Sequence, residues 1–325
     1  MDTLPSELMF HIINYLGDHR PSQLKFALSN SKICRLVTPL VYERVVLSDS
    51  HAIWCFCNSM HISNKDLGAF VKRLHLESPC APTAGDMSMV ARAIFAMMNN
   101  LVNLRELELV HHEDLFLWDP VSVLHIRPML QLTRIKAVSY SGAGFAHFLH
   151  NQTSVVSLDL VEPCCRKGNS YIQLGASSES FLPALSELTA SIPHVIQILP
   201  YRWIQKVVIL PSGRTRTRSL RGLVDALCNS LNPLVSIGFW LTHIVFDAHP
   251  GWFFVELLSE TRIAADLRSL TLGMRILVSI ISTRTPYTID SYPCLGYFRR
   301  LISRRSVGEA GSHALRIYLI RIYPS

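Results

Sequence analysis

A short apolar template recurs along the chain and limits what the chain can fold into. In each copy an apolar residue is followed, three and five positions later, by two more apolar residues, as in Leu104/Leu107/Leu109. Residues two apart lie on one face of a β-strand, so the last two positions predict a short strand with one buried face. We find nine copies: Tyr42/Val45/Leu47, Val71/Leu74/Leu76, Leu104/Leu107/Leu109, Leu132/Ile135/Ala137, Val155/Leu158/Leu160, Leu185/Leu188/Ala190, Ile204/Val207/Ile209, Leu241/Ile244/Phe246 and Leu267/Leu270/Leu272.

The spacing of these copies predicts a repeat architecture. Consecutive third positions lie between 19 residues (Ala190 to Ile209) and 37 residues (Ile209 to Phe246) apart, and helix-like apolar patterns lie between them at 91–98, 144–149, 220–231 and 252–258. A strand followed by a helix buries its apolar face only against its neighbours, and stacking then gives a parallel sheet. The sequence predicts a mixed α/β fold whose residues 49–274 form an irregular solenoid.

Residues 1–48 are predicted to form a separate helical module. Pro5 suits the first position of a helix and Glu7 suits its first turn. A second helix is expected to run from Leu24 to Leu36, and Thr38-Pro39 is expected to end it before a third short turn. Apolar residues recur at steps of four as Leu8/Ile12/Leu16 and as Leu24/Leu28. About 45 residues cannot bury all of this surface, so we expect part of it to contact another protein or the next domain.

The order and spacing of these residues resemble the F-box. The residues that carry the resemblance lie within 3–47 and are Leu4-Pro5-Ser6-Glu7-Leu8, Ile12, Tyr15-Leu16, Leu24, Leu28-Ser29, Cys34-Arg35-Leu36, Pro39-Leu40, Tyr42 and Val45. The repeats that follow resemble the C-terminal halves of F-box proteins with leucine-rich repeats. The resemblance implies that the module docks on a Skp-family adaptor through Leu4, Pro5, Leu8, Ile12, Leu16, Leu24, Leu28 and Pro39.

The same resemblance implies a function without catalysis by the chain itself. The adaptor would join the chain to a cullin–RING ubiquitin ligase, and the solenoid would bind a protein substrate whose identity the sequence does not reveal. The expected compartment is the cytoplasm, the nucleus or both. The alternative is a leucine-rich-repeat scaffold or interaction protein that takes no part in a ubiquitin ligase.

One dense group of arginines is a candidate for substrate binding. Arg214, Arg216 and Arg218, followed by Arg221, lie after the strand predicted at Val207–Ile209. A guanidinium matches the geometry of carboxylate and phosphate, so these residues could bind an acidic or phosphorylated peptide. The alternative is a solvated loop without a binding role.

The sequence offers no constellation for enzymatic or metal chemistry. A phosphate-binding loop with its lysine and a Gly-x-Ser-x-Gly nucleophile motif are both missing. Cys55 and Cys57 lie two apart on a predicted helix and so do not face each other, and the pair Cys164-Cys165 has no second pair at zinc-binding spacing. We therefore expect no catalytic residue, no metal and no cofactor. No apolar run approaches the ~20 residues of a membrane helix, so we expect no membrane association.

Positive charge is concentrated at the end of the sequence. Through Met274 the chain has 23 Lys plus Arg against 22 Asp plus Glu (23 − 22 = +1), whereas 275–325 has 8 Arg against 2 acids (8 − 2 = +6). A nearly neutral body makes nucleic acid an improbable partner. We expect 275–325 to be an atypical basic tail that is not a native continuation of the repeats, because the gene model reads through an intron. The alternative is a genuine basic extension that contacts nucleic acid or acidic partners. Within it, 313–322 alternates apolar and basic residues and suits an edge strand.

Overall fold

The chain forms a mixed α/β structure in which parallel strands alternate with helices. The computed structural model describes residues 5–16, 19–62, 65–78, 93–94, 96–111, 131–138, 143–161, 181–200, 202–210, 217–241, 250–275 and 316–322. Two compact units divide the chain, Met1–Gln152 and Thr153–Ser325. The predicted boundaries at residues 48 and 274 both lie inside these units, and they stay predictions.

The first unit begins with helices and continues with parallel strands. Its described elements are α1 (Ser6–Tyr15), α2 (Arg20–Ala27), α3 (Ser31–Glu43), β1 (Arg44–Leu47), α4 (Ser50–Ile62), α5 (Lys65–Gly68), β2 (Arg73–Ser78), β3 (Glu106–His111), β4 (Arg134–Val138) and α6 (Ala143–His150). The strands β1 to β4 pair side by side in chain order, and each pair is parallel. A parallel pair needs a crossover connection, and α4 and α5 lie in the one between β1 and β2.

The second unit repeats the same plan. Its described elements are β5 (Ser157–Val161), β6 (Glu187–Ser191), α7 (Ile192–Ile198), β7 (Lys206–Leu210), α8 (Thr217–Cys228), β8 (Ser236–Leu241), α9 (Pro250–Ser259), α10 (Ile263–Asp266), β9 (Ser269–Arg275) and β10 (Arg316–Ile322). The strands β5 to β10 also pair in chain order and in parallel. The helices predicted at 144–149, 220–231 and 252–258 are present as α6, α8 and α9.

The apolar template sets the register of the strands. In the first unit Leu74 pairs with Leu107, and Leu107 pairs with Ile135, so equivalent positions form one continuous buried row. The second unit has the matching row Leu158, Leu188, Val207, Ile237 and Leu270. In the second unit this buried side of the sheet meets helices, because the Phe239 ring stacks on Phe254 of α9 at 4.7 Å between centroids. The prediction of short parallel strands with one buried face is confirmed.

Backbone hydrogen bonds also join consecutive repeats just before β2, β3 and β4 in the first unit and just before β6, β7, β8 and β9 in the second. The residue after the first template position donates its N–H to the carbonyl of the equivalent residue one repeat earlier. In the first unit Arg105 N donates to Lys72 O at 2.8 Å, and Thr133 N donates to Arg105 O at 2.8 Å. In the second unit Val235 N donates to Gln205 O at 2.9 Å, and similar bonds precede and follow it. These bonds pair backbone groups of the turns and fix one repeat against the next.

The position predicted for the strand β8 is wrong. The sequence analysis placed it on Leu241/Ile244/Phe246, whereas β8 ends at Leu241 and its buried residues are Ile237 and Phe239. Ile244 and Phe246 lie outside the described residues. Both alternatives fit the template because the apolar run is long. The observed choice, with Leu234 as its first position, makes the two flanking steps more even, 30 residues from Ile209 to Phe239 and 33 from Phe239 to Leu272.

The strand β10 lies in the segment that was expected to be an atypical tail. It pairs with β9 in parallel over its whole length, from Arg316 opposite Ser269 to Ile322 opposite Arg275. The predicted edge strand is therefore present. The template was expected to fade after Met274, yet Ala314/Ile317/Leu319 fits it, and Ile317 lies opposite the buried Leu270. The origin of residues 275–325 stays a prediction.

Two glycines provide a test of how closely the repeats approach each other. A Cβ added at Gly68 would lie 2.5 Å from the carbonyl oxygen of Asn100 in the next repeat, whereas a Cβ at Gly222 would meet only the Ile196 side chain at 3.5 Å. We expect Gly68→Ala to lower the free energy of unfolding by about 2 kcal/mol through overpacking. Gly222→Ala should raise it by about 0.5–1 kcal/mol, because alanine favours the interior of α8. Urea unfolding of both variants measures the two changes in the free energy of unfolding. If Gly68→Ala leaves that free energy unchanged, the close approach of Gly68 to the Asn100 carbonyl is contradicted.

Candidate functional site

The three N-terminal helices have a small core of their own. Its buried residues are Met9 and Ile13 of α1 and Ile33, Val37 and Val41 of α3, each at most 7% exposed. Parts of Phe26, Ala27, Leu36, Leu40 and Tyr42 pack against this cluster. The sequence analysis did not identify Met9 and Ile13 as core residues. The four-residue spacing of Met9 and Ile13 is the sequence signal for a shared helix face. Leu8/Ile12 and Ile12/Leu16 have the same spacing, so the sequence alone does not show which face is buried.

Large apolar side chains remain exposed on α1, on α2 and at Leu28, which follows the last residue of α2. The exposed fractions are 49% for Leu8, 38% for Ile12, 47% for Leu24 and 86% for Leu28, and Tyr15 of α1 is 92% exposed. Full burial of one such side chain contributes about 1.5–3 kcal/mol. The expectation that the module leaves apolar surface uncovered therefore holds for these residues.

The helix geometry explains how α1 has both a buried and an exposed apolar side. At 3.6 residues per turn each residue advances by about 100°, so Leu8, Ile12 and Tyr15 fall within about 60° of one another. Met9 and Ile13 lie about 110° further round, on the side that contacts α3. The apolar surface of α1 is thus wider than its contact with α3 can cover.

The second predicted helix is two helices. The break lies at Asn30, whose side chain accepts a hydrogen bond from Lys32 N at 2.7 Å and so caps the N-terminus of α3. The prediction that Thr38-Pro39 ends the helix is also wrong, because α3 continues through Pro39 to Glu43. An interior proline costs about 3 kcal/mol. Burial of Val37 and Val41 on either side of it offsets that cost.

The remaining predicted adaptor residues have different environments. Pro5 is exposed, and Leu16 and Pro39 are half-buried. Leu4 lies outside the described residues. The exposed apolar set therefore consists of Leu8, Ile12, Leu24 and Leu28, which we call the docking set. Its binding to an adaptor stays a prediction.

The side of the first-unit sheet opposite the core is lined with charge. One row across the strands contains Val46, His75, Glu108 and Lys136. His75 Nδ1 lies 2.9 Å from Glu108 Oε2, and Lys136 Nζ donates to Glu108 Oε1. Partial burial acts to raise the pKa of Glu108, but the hydrogen bonds from Lys136 and His75 hold this pKa below its usual range. We call this side the open face of the first unit.

The open face of the second unit has smaller and less charged side chains. The equivalent row contains Asp159, Thr189, Val208, Gly238 and Thr271. A Cβ at Gly238 would lie 3.4 Å from Val208, so the row is closely packed at that point. The two open faces thus differ in chemistry, the first being rich in ion pairs and the second in small side chains.

Three arginines, Arg214, Arg216 and Arg218, are the sequence-based candidates for substrate binding. Arg214 and Arg216 lie outside the described residues, whereas Arg218 lies in the first turn of α8. Arg221, one turn further along α8, is exposed. The role of these arginines stays a prediction.

A buried polar pair in the second unit was missed by the sequence analysis. Ser191 Oγ at the end of β6 lies 2.8 Å from His194 Nδ1 in α7, and each residue is 1% exposed. Burial lowers the pKa of His194 to about 4. Because neither group reaches solvent, the pair is suited to a structural role and not to nucleophilic catalysis.

A buried arginine lies at the end of α7. Arg202 is 5% exposed, donates to the carbonyls of Ile198 and Phe181, and lies over the Phe181 ring at 5.1 Å. Burial lowers the pKa of this guanidinium. The bond to Ile198 satisfies a carbonyl at the C-terminus of α7, where the backbone lacks partners of its own, and the bond to Phe181 joins this end to the turn before β6.

Comparison with known proteins adds no family to these observations. No protein-family model matches the chain, and no curated protein matches it significantly. The described ranges bring no three His, Cys, Asp or Glu side chains together around a possible metal position. Among the described helices, none is both long enough and apolar enough to cross a membrane.

Proposed function

We propose that the chain is the substrate-recognition subunit of a cullin–RING ubiquitin ligase. In this proposal α1 and α2 bind a Skp-family adaptor, and the repeats act as an irregular leucine-rich-repeat-like solenoid that binds a protein substrate. The main support is the docking set, which remains exposed although the helices have a filled core of their own. The F-box resemblance names the partner that such a surface would bind.

The size of the docking set is sufficient for a specific contact. A few buried apolar side chains usually carry most of the energy of an interface. Leu28, at 86% exposed, has nearly its whole side chain available, and Leu8 and Leu24 have about half. Full burial contributes about 2 kcal/mol per leucine. The docking set can therefore supply several kcal/mol on binding.

The link between the helices and the first strand suits a receptor subunit. The helix α3 ends at Glu43 and β1 begins at Arg44, so no flexible connector separates the module from the first repeat. Lys72 N donates to Glu43 O at 2.9 Å and ties this junction to the second repeat. An adaptor bound to α1 and α2 would thus hold the neighbouring repeats, and any substrate on them, in a fixed orientation.

The proposal assigns no catalytic residue to the chain. Its contribution is proximity, which raises the effective concentration of a substrate near the ubiquitin-carrying enzyme. The substrate would contact the open faces of the repeats or their rims, where Arg214, Arg216 and Arg218 are the sequence-based candidates. The ligase would operate in the cytoplasm or nucleus.

Co-expression of the full chain with a Skp-family adaptor tests the proposal. We expect the two proteins to elute together from a size-exclusion column as a 1:1 complex. Separate elution of a folded chain and free adaptor would overturn the proposal. An interaction protein outside any ubiquitin ligase would then be the better description of the chain.

A further inference from the structure

Exposed cations lie side by side where the strands of the first unit begin. The first residues of β1 to β4 are register neighbours, and they are Arg44, Arg73, Glu106 and Arg134. All three arginines are exposed. They lie on the open face, because each precedes a residue of the open-face row by two positions. Three of these four strands thus begin with a cation on that face.

The residues that precede β2 and β3 add two more cations. Lys72 and Arg105 are both exposed, and Arg105 N donates to Lys72 O at 2.8 Å, so the two are neighbours in consecutive repeats. Adjacent strands lie about 4.8 Å apart, so a set of side chains that reaches from β1 to β4 spans about 14 Å. We call Arg44, Lys72, Arg73, Arg105 and Arg134 the basic strip.

The basic strip has more positive charge than the carboxylates beside it neutralise. Lys72 Nζ lies 3.2 Å from Glu43 Oε1, and Arg73 Nε lies 3.3 Å from Glu106 Oε1. The first residues of β1 to β4 and the residues just before them comprise five cations and two carboxylates, so their net charge is 5 − 2 = +3. The same positions of β5 to β10 comprise three cations and one carboxylate over six strands, or 3 − 1 = +2. Positive charge at the strand starts is therefore denser in the first unit.

Two pairs of like charges within the basic strip oppose folding. Arg44 lies opposite Arg73 in register, and Lys72 lies beside Arg105. Like charges on neighbouring strands repel each other, so the two pairs themselves do not stabilise the fold. Arg105 donates to the side-chain oxygen of Gln131 at 2.6 Å, and this neutral partner does not cancel its charge. An anion bound across the basic strip would relieve the repulsion.

We propose that the basic strip binds an acidic, extended segment of a partner protein. The inference deepens the proposed function and rests on it in one respect, because the partner would be the substrate of the ligase. Alternate side chains of an extended segment lie about 6.7 Å apart on one face, so three acidic residues at alternate positions span about 13 Å. This length matches that of the basic strip, and a guanidinium binds a carboxylate through two parallel hydrogen bonds.

A peptide fits the basic strip better than a nucleic acid does. Glu43 and Glu106 lie among the cations, and Glu108 lies in the next row of the open face. A strand of nucleic acid has a phosphate about every 3.4 Å, so these carboxylates would repel it. A peptide has acidic residues only at some positions and can avoid them. Nucleic-acid binding also commonly uses about 6–10 phosphate contacts, more than five cations supply.

Fluorescence anisotropy of a labelled peptide, in which three glutamates alternate with serines, tests the inference on the full chain without an adaptor. The buffer has low salt, because salt screens exposed ion pairs. We expect Arg44→Gln with Arg105→Gln to weaken peptide binding about tenfold, since two charge pairs with the peptide are lost. The matched control is Lys206→Gln with Arg268→Gln, which removes two charges from exposed, equivalent positions of the second unit. The control should bind the peptide normally.

Thermal unfolding separates binding from a structural role of the two arginines. The substitutions at Arg44 and Arg105 remove one member of each like-charge pair and leave the ion pairs of Lys72 and Arg73 in place. The Tm should therefore stay the same or rise while the affinity for the peptide falls. A lower Tm would show that the arginines stabilise the fold, and it would overturn the inference.

Four binding results would also overturn the inference. They are no binding of the peptide to the unsubstituted chain, equal affinity of the strip variant and the control, equal binding of a peptide with glutamine in place of glutamate, and tighter binding of a single-stranded oligonucleotide. Equal affinity of the two variants would place the peptide elsewhere, for example at Arg214, Arg216 and Arg218. Because no adaptor is present, a failure here leaves the proposed ligase role standing if the chain still elutes with the adaptor.

Discussion

Replacing Leu8 and Ile12 together by aspartate is expected to weaken adaptor binding by about a hundredfold or more. Each side chain is already partly covered, so its further burial contributes on the order of 1 kcal/mol. A carboxylate held in an apolar interface adds a desolvation cost. Together these effects exceed about 2.8 kcal/mol, which corresponds to two factors of ten in Kd. Calorimetric titration of the full chain with a Skp-family adaptor measures the change.

The chain should stay folded after this double substitution. Leu8 and Ile12 lie outside the buried cluster of α1 and α3, so the loss in the free energy of unfolding is limited to their partial coverage, on the order of 1 kcal/mol per side chain. The control is Val102→Asp with Val156→Asp, which places two charges on exposed valines (59% and 42%) outside α1 and α2. We expect the control to bind the adaptor normally. If both double variants lose the same adaptor affinity, or if neither loses any, α1 is not part of the interface.

Acidification is expected to destabilise the second unit through His194. Burial lowers the pKa of His194 from 6.5 to about 4, so the folded chain holds this imidazole neutral while the unfolded chain protonates it near pH 6.5. The contribution of the neutral His194 to the free energy of unfolding is fully present above pH 6.5 and is lost progressively as pH falls from 6.5 to about 4. At 1.36 kcal/mol per pH unit the total loss is about 3 kcal/mol.

Comparison of two histidine variants isolates this contribution. The new side chain in His194→Gln is neutral at every pH and can keep a hydrogen bond to Ser191. Between pH 7 and pH 4 the free energy of unfolding of this variant should therefore fall by about 3 kcal/mol less than that of the unsubstituted chain. His147→Gln, at an exposed position of α6, should keep the full pH dependence. Urea unfolding at the two pH values gives both numbers. An unchanged pH dependence in His194→Gln would show that burial of this histidine is not the cause.

The parallel strands could be predicted from the sequence because the template residues are the buried residues. Leu107 and Leu109 are at most 3% exposed, and the half-exposed Glu108 lies between them. The template does not fix the position of a strand where apolar residues are too frequent. Around Leu241 it therefore predicted β8 too far along the chain. The template copy at β10 was missed because its first position is only an alanine, Ala314, and the step from Leu272 to Leu319 is 47 residues; the strand itself was predicted from the alternation of 313–322.

The helical region was less predictable because tertiary packing overrides local signals there. Pro39 normally ends a helix, but burial of the surrounding valines keeps α3 continuous. The exposed surface of α1 was expected from the size of the module, whereas the side chains that fill its core were not. Leu8/Ile12 and Met9/Ile13 have the same spacing, and only contact with α3 distinguishes them.

Hydroxyl-radical footprinting of the full chain, free and with a Skp-family adaptor, is the most direct test of the proposed docking surface. The free chain should be oxidised at Leu8, Ile12, Leu24 and Leu28, because these side chains are exposed. In the complex all four should become protected, while the exposed Trp203 should stay reactive. Protection of the docking set already in the free chain, or unchanged oxidation when the adaptor is present, would contradict the assignment.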